Sequence, residues 1–158
     1  MSQNTYIIDT CSLTALHRVY PADIFKPVWD KIECLIDEGA LISCEDVFIE
    51  LEAQDDELHD WAKQQKEKGF FWPLTTDIQE RTKEVLKSHT NLLDLKKRKS
   101  SADAFLIALA LIRDATVVSE EKPSGGPEKS KIPDVCAYYS IRCISLIEML
   151  RDAGFRLQ

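Results

Sequence analysis

Carboxylates are the residues whose type and placement could do chemistry in this chain. Asp9 follows the apolar run Tyr6-Ile7-Ile8, and Glu50 lies a few residues beyond Leu41-Ile42-Ser43-Cys44. Glu120 and Glu121 follow Thr116-Val117-Val118-Ser119, Asp103 opens the apolar stretch from Ala104 to Ile112, and Asp134 stands beyond a Pro/Gly-rich segment. Short β-favouring runs of this kind read as buried strands, which puts these acids at strand ends or helix starts. Clustered carboxylates repel one another unless a cation neutralises them, and hard oxygen ligands with room for water suit Mg²⁺ or Mn²⁺. One or two such ions activate a water and stabilise the charge on a phosphodiester under attack. Each acid also has a purely structural reading. Asp9 could be a turn former or helix cap, Glu50 a solvated helix residue like Glu52, and Glu120 with Glu121 an exposed loop pair. Ser100-Ser101-Ala102-Asp103 fits a capping-box pattern. The chemical reading rests on the combination.

The elements that must position these acids can be traced along the chain. After the first strand, Ser12–Val19 forms a short helix closed before Pro21. Phe25–Glu38 has apolar residues at helical spacing and ends at Gly39, a natural C-cap. Leu41–Cys44 is the second strand, and Asp46–Glu52 a helix with Asp46 as its cap. Glu57–Lys68 is a polar helix ending at Gly69, followed by Phe70-Phe71-Trp72 as an edge strand before Pro73. Thr76-Asp77-Ile78-Gln79 is a capping box opening a helix to about His89. A polar loop with Lys96-Lys97-Arg98-Lys99 follows; such a basic run is read first as a solvated face, with phosphate contact as the alternative. Ser101–Arg113 is apolar all round, as a helix packed centrally against a sheet should be. Thr116–Ser119 is the third strand, Glu121–Pro133 a loop, Val135–Ser140 a short helix and Ile141–Ile144 the fourth strand. Ser145-Leu146-Ile147-Glu148 is a capping box opening a last helix that ends at Gly154. Strands alternating with helices predict a single three-layer α/β sandwich over residues 1–158, with a central parallel sheet of four or five strands. Ligands of such sheets bind outside the carboxyl ends of the strands, where the acids stand.

Composition limits the alternatives. With 158 residues, 44% hydrophobic and 30% charged, the chain suits one globular domain with a real core. A net charge of -7 argues against coating nucleic acid by bulk electrostatics, but not against cutting it at a small acidic site. No targeting segment or bilayer span is expected. The cysteines (Cys11, Cys34, Cys44, Cys136 and Cys143) form no C-x-x-C pair and read as reduced thiols of a cytoplasmic protein, most of them small buried hydrophobes. His17, His59 and His89 show no zinc-ligand spacing.

Taken together, Tyr6-Ile7-Ile8-Asp9-Thr10-Cys11-Ser12-Leu13, Val47-Phe48-Ile49-Glu50-Leu51, Ala102-Asp103-Ala104-Phe105-Leu106-Ile107-Ala108-Leu109-Ala110 and Val117-Val118-Ser119-Glu120-Glu121 resemble, in order, the motifs of the PIN-domain nucleases. The resemblance implies a helix-flanked parallel sheet, bound Mg²⁺ or Mn²⁺, and cleavage of single-stranded RNA by a metal-activated water. Asp9, Glu50, Asp103 and Glu121 would be the ligands and catalytic acids. It also implies the toxin role of many small family members in type II toxin–antitoxin pairs, with an antitoxin partner covering the pocket, and the homodimer common among them. Ser12 matches a position where the family often has a small hydroxyl supporting the metal site; it otherwise reads as a helix N-cap. The chain departs from the usual Thr-x-Asp at the fourth segment. Glu121 stands where Asp is expected, Glu120 is adjacent, and Asp134 is the other acid that could complete the site. The pattern suggests a divergent branch.

Other classes fit less well. A haloacid-dehalogenase-type phosphatase needs a second Asp two residues after the first, where Cys11 stands. A response-regulator receiver needs acids upstream of its phosphoacceptor and a strand-end Lys before the last helix. The remaining alternative is a catalytically inactive PIN-like module that binds RNA or a protein partner.

Overall fold

Tyr6–Ile8 (β1) is buried along its whole length, and so is Leu41–Cys44 (β2). Such continuous apolar runs, without alternation, require cover on both faces. A computed structural model describes residues 4–54, 56–88, 102–123 and 131–157. The remaining strands are Phe71–Trp72 (β3), Thr116–Val118 (β4) and Cys143–Ile144 (β5). All pair in parallel, in the order β3-β2-β1-β4-β5. The expected three-layer α/β architecture is therefore present, with Phe71–Trp72 as its edge strand.

The connections are helices: Thr10–Val19 (α1), Lys26–Asp37 (α2), Glu45–Glu52 (α3), Asp56–Glu67 (α4), Thr76–Ser88 (α5), Ala102–Arg113 (α6), Ile132–Tyr138 (α7) and Leu146–Asp152 (α8). From β1 the chain adds β2 and β3 on one side, then returns to add β4 and β5 on the other. The crossovers therefore run in opposite directions on the two sides of β1. The sheet therefore has a topological switch point between β1 and β4. α6 packs across β1, β2 and β4, with Ala104, Leu106, Ile107 and Ala108 fully buried.

Several boundaries differ from the sequence expectation for local reasons. α1 begins at Thr10 rather than Ser12, because Asp9 itself is the cap. α3 begins at Glu45 after Cys44, so Asp46 lies inside the first turn. α5 begins at Thr76, so that residue is not its cap; the Thr75 hydroxyl bonds the Asp77 carboxylate, whose Oδ1 also accepts from Ile78 N at 3.0 Å. Pro133 belongs to the first turn of α7, where its missing N–H costs nothing, and β5 is shorter than Ile141–Ile144. The Ser145…Glu148 capping box is formed as expected. Cys44 and Cys136 are buried in the core and Cys143 packs against it, as expected for most of the cysteines, whereas Cys11 and Cys34 are exposed. Among the described residues no helix is long and apolar enough to cross a membrane. The Lys96–Lys99 run, Ser100 and Ser101 lie outside the described residues, as do Gly125, Gly126 and Pro127.

Candidate functional site

The β1–β4 register pairs Ile8 with Val118, which brings the next residues, Asp9 and Ser119, together at the carboxyl edge of the switch point. Asp9 is extended (φ -90, ψ 170) and caps α1, its Oδ1 accepting from Ser12 N at 2.8 Å. Its Oδ2 accepts from the Ser119 hydroxyl at 2.7 Å. That hydroxyl in turn accepts from Glu121 N at 3.1 Å. Asp9 is only 2% exposed. Burial pushes its pKa up to about 6; the hydrogen bonds from Ser12 and Ser119 oppose the rise, and the Glu121 charge adds to it. The capping reading of Asp9 is thus correct, and it coexists with a desolvated carboxylate beside another acid.

Cys11 reports on the surroundings. Although part of its surface meets solvent, its thiol is pushed up to about 11, first by burial and then by the charges of Asp9, Glu121, Asp103 and Glu50. Carboxylates from four separate segments therefore act on one point. Burial and those charges favour the protonated thiol at neutral pH.

Beside this point lies an open cleft of ≈ 320 Å³. Thr10, Cys11, Thr14 and Arg18 of α1 form one wall, and Glu50, Glu120 and Glu121 contribute the acidic side. Glu50 and Asp103 are half-buried, on α3 and the first turn of α6. Glu121 is half-buried too, and its Oε2 accepts from Ile132 N at 3.0 Å, at the start of α7. Glu120 is exposed, and its Oε1 accepts from Leu146 N at 2.8 Å, at the start of α8. Asp134 Oδ2 accepts from Lys131 N at 3.0 Å, closing the first turn of α7; like Asp9 and Asp103, it is not among the residues lining the cleft. Of the three fourth-acid candidates, Glu121 is linked to Asp9 through Ser119, whose hydroxyl accepts from Glu121 N and donates to Asp9 Oδ2. Ser12 is fully buried, and its hydroxyl donates to Val118 O at 3.3 Å, tying α1 to β4.

The sequence profile of a family described as a domain of unknown function, DUF4411, matches residues 6–157. The chain belongs to the DUF4411 family. No curated protein matches it.

In this DUF4411 chain the donor chemistry fits a hard divalent cation. The converging groups are carboxylates, and Asp9 has lone pairs beyond those in its two hydrogen bonds. His17 and His59 face Glu57 and Glu52 instead. Among the described residues, no three of the His, Cys, Asp and Glu side chains are gathered closely enough to hold an ion. Sequence reasoning missed Ser119 as the partner of Asp9, and Thr14 and Arg18 as cleft walls. A hydroxyl ending the third strand, beside the strand carrying Asp9, was the available signal for Ser119.

Proposed function

We propose that this DUF4411 chain is a divalent-metal-dependent ribonuclease of PIN-like design that cleaves single-stranded RNA. In this reading it is a cytoplasmic, homodimeric toxin restrained by an antitoxin protein. The observation that carries the enzymatic reading is the buried, doubly hydrogen-bonded Asp9 carboxylate at the carboxyl end of β1, next to a cleft lined by Glu50 and Glu121, at the sheet position where open parallel sheets bind ligands. A bound Mg²⁺ or Mn²⁺ would supply a nucleophilic water at neutral pH and neutralise phosphodiester charge; Asp9, Glu50, Asp103 and Glu121 are the residues that would have to draw closer together to hold it. Ser119 and the Ser12 N–H orient Asp9 and favour its charged form, opposing the cost of its burial. Glu121 is held by the Ile132 N–H, so its carboxylate stays beside the cleft.

Cleavage of single-stranded RNA by the purified protein with Mg²⁺, Mn²⁺ or EDTA, beside Asp9→Asn, tests this. The expected result is cleavage that needs a divalent ion and is lost in the variant. Metal-independent cleavage, or equal activity in Asp9→Asn, would sink the reading. For the toxin role, expression of the chain alone should slow growth; high-level expression with normal growth counts against it.

One observation favours the second reading, an inactive module that binds RNA or a protein. Glu120 and Glu121 both serve backbone N–H groups at helix starts, a structural duty that would preserve them without catalysis. Absence of both cleavage and calorimetric Mg²⁺ or Mn²⁺ binding would select this reading.

A further inference from the structure

We infer that Arg18 is a phosphate-binding residue of the cleft, holding a backbone phosphate of the RNA strand next to the one under attack. The inference rests on the ribonuclease reading and adds to it the means by which an acidic cleft accepts a polyanion.

Thr10, Thr14 and Arg18 are spaced i, i+4, i+8, so they form one stripe along α1, and all three line the cleft. The stripe begins beside Asp9 and ends at Arg18. Seven residues separate Cys11 from Arg18, a rise of about 10 Å along the helix, so Arg18 stands away from the acids' common point. The cleft is also lined by Glu50, Glu120 and Glu121, in a chain of net charge -7. Such a cleft repels a phosphodiester strand unless something positive meets it. Among the residues lining it, Arg18 is the cation. Its side chain is exposed, and among the described residues no ion pair with an acid engages it. A guanidinium presents a planar fork that matches phosphate oxygens with paired hydrogen bonds. Between the two ends, Thr14 offers a hydroxyl 3.0 Å from Thr10 O and 3.4 Å from Gln54 Oε1. This polar middle section suits the sugar between two phosphates. The competing explanation is that Arg18, in the last turn of α1 with His17, only complements the helix dipole. In that case its loss affects stability and not RNA binding.

The test is binding of a fluorescein-labelled single-stranded oligoribonucleotide to the Asp9→Asn protein, with and without Arg18→Gln or Arg18→Lys. Salt titrations and thermal melts accompany it. Arg18→Gln should weaken oligonucleotide binding roughly tenfold at low salt. It should also make the slope of log affinity against log salt shallower by about one. Arg18→Lys should retain that slope with lower affinity, having the charge without the fork. A dinucleoside monophosphate, with its single phosphate, should bind all proteins alike. Unchanged affinity and slope in Arg18→Gln would overturn the assignment, and metal-dependent cleavage by the wild type would then leave the ribonuclease reading standing. Arg18-dependent binding without cleavage by the wild type supports the phosphate site and removes the nuclease. Failure of the Asp9→Asn and wild-type proteins to bind RNA removes both.

Discussion

The carboxylate of Asp9 caps α1 while standing 2% exposed among other acids, and these two roles have opposite effects on stability. Burial raises its pKa from 3.8 to about 6, so the folded chain binds that proton more tightly than the unfolded one. Stability is therefore highest below the unfolded value, falls as pH rises from 3.8 through about 6, and stays reduced above that. Asn at this position keeps the oxygen that accepts from Ser12 N and removes the charge. In EDTA at neutral pH, Asp9→Asn should melt above the wild type by the equivalent of about 1–3 kcal/mol. The gain should vanish near about pH 4. A lower melting temperature in the variant at neutral pH would show that the capping charge outweighs its burial. Asp9 was visible in the sequence because a polar residue ended an apolar run. Its bond to Ser119 was not, because 110 residues separate the two and only the β1–β4 pairing joins them.

α6 does the most to hold the acids in one frame. Asp103 is in its first turn, and its apolar body spans β1, β2 and β4. Leu106 is fully buried, so Leu106→Ala should lower unfolding free energy by about 2–5 kcal/mol. Urea titration should show an earlier midpoint with the slope unchanged; an unaltered midpoint would mean the helix packs less centrally than described. The helix was legible from its composition. The starts of α7 and α8 were only partly so. Ser145 and Glu148 announced their capping box locally. Glu120 and Glu121 also serve helix starts, but they do so across 26 and 11 residues, a distance no local pattern spans. Acids read as a metal-site alternative thus proved to have backbone partners as well.

At the start of β1, a residue of the last helix joins the sheet. Asp152 of α8 accepts from the Tyr6 hydroxyl of β1 and from both terminal nitrogens of Arg142, at 3.0 and 3.1 Å. Arg142, then the Tyr6 hydrogen bond, pull the Asp152 pKa down to about 2. A depressed carboxylate stabilises the fold above its unfolded value of 3.8, and that contribution is lost as pH falls through about 2. With its side chain 24% exposed, solvent screening reduces the effect to about 1–2 kcal/mol. Asp152→Asn should therefore melt below the wild type at about pH 6 and converge with it as pH falls through about 2. A pH-independent difference would assign the loss to packing.

The sequence by itself determined the fold class and most elements, because strand and helix periodicity, glycine C-caps and the Ser145…Glu148 box are local signals. It also placed Asp9, Glu50 and Asp103 on the right elements. Only the tertiary structure decided which acids share a field. The strand order β3-β2-β1-β4-β5 puts the switch point between β1 and β4, and that pairing brings Ser119 and Glu121 to Asp9. It also gave the fourth-acid candidates different backbone partners, Asp134 accepting from Lys131 N at the start of α7 and Glu121 from Ile132 N. The physical reason is range: capping and periodicity act within a turn or two of chain, whereas charge and burial depend on what folding brings near.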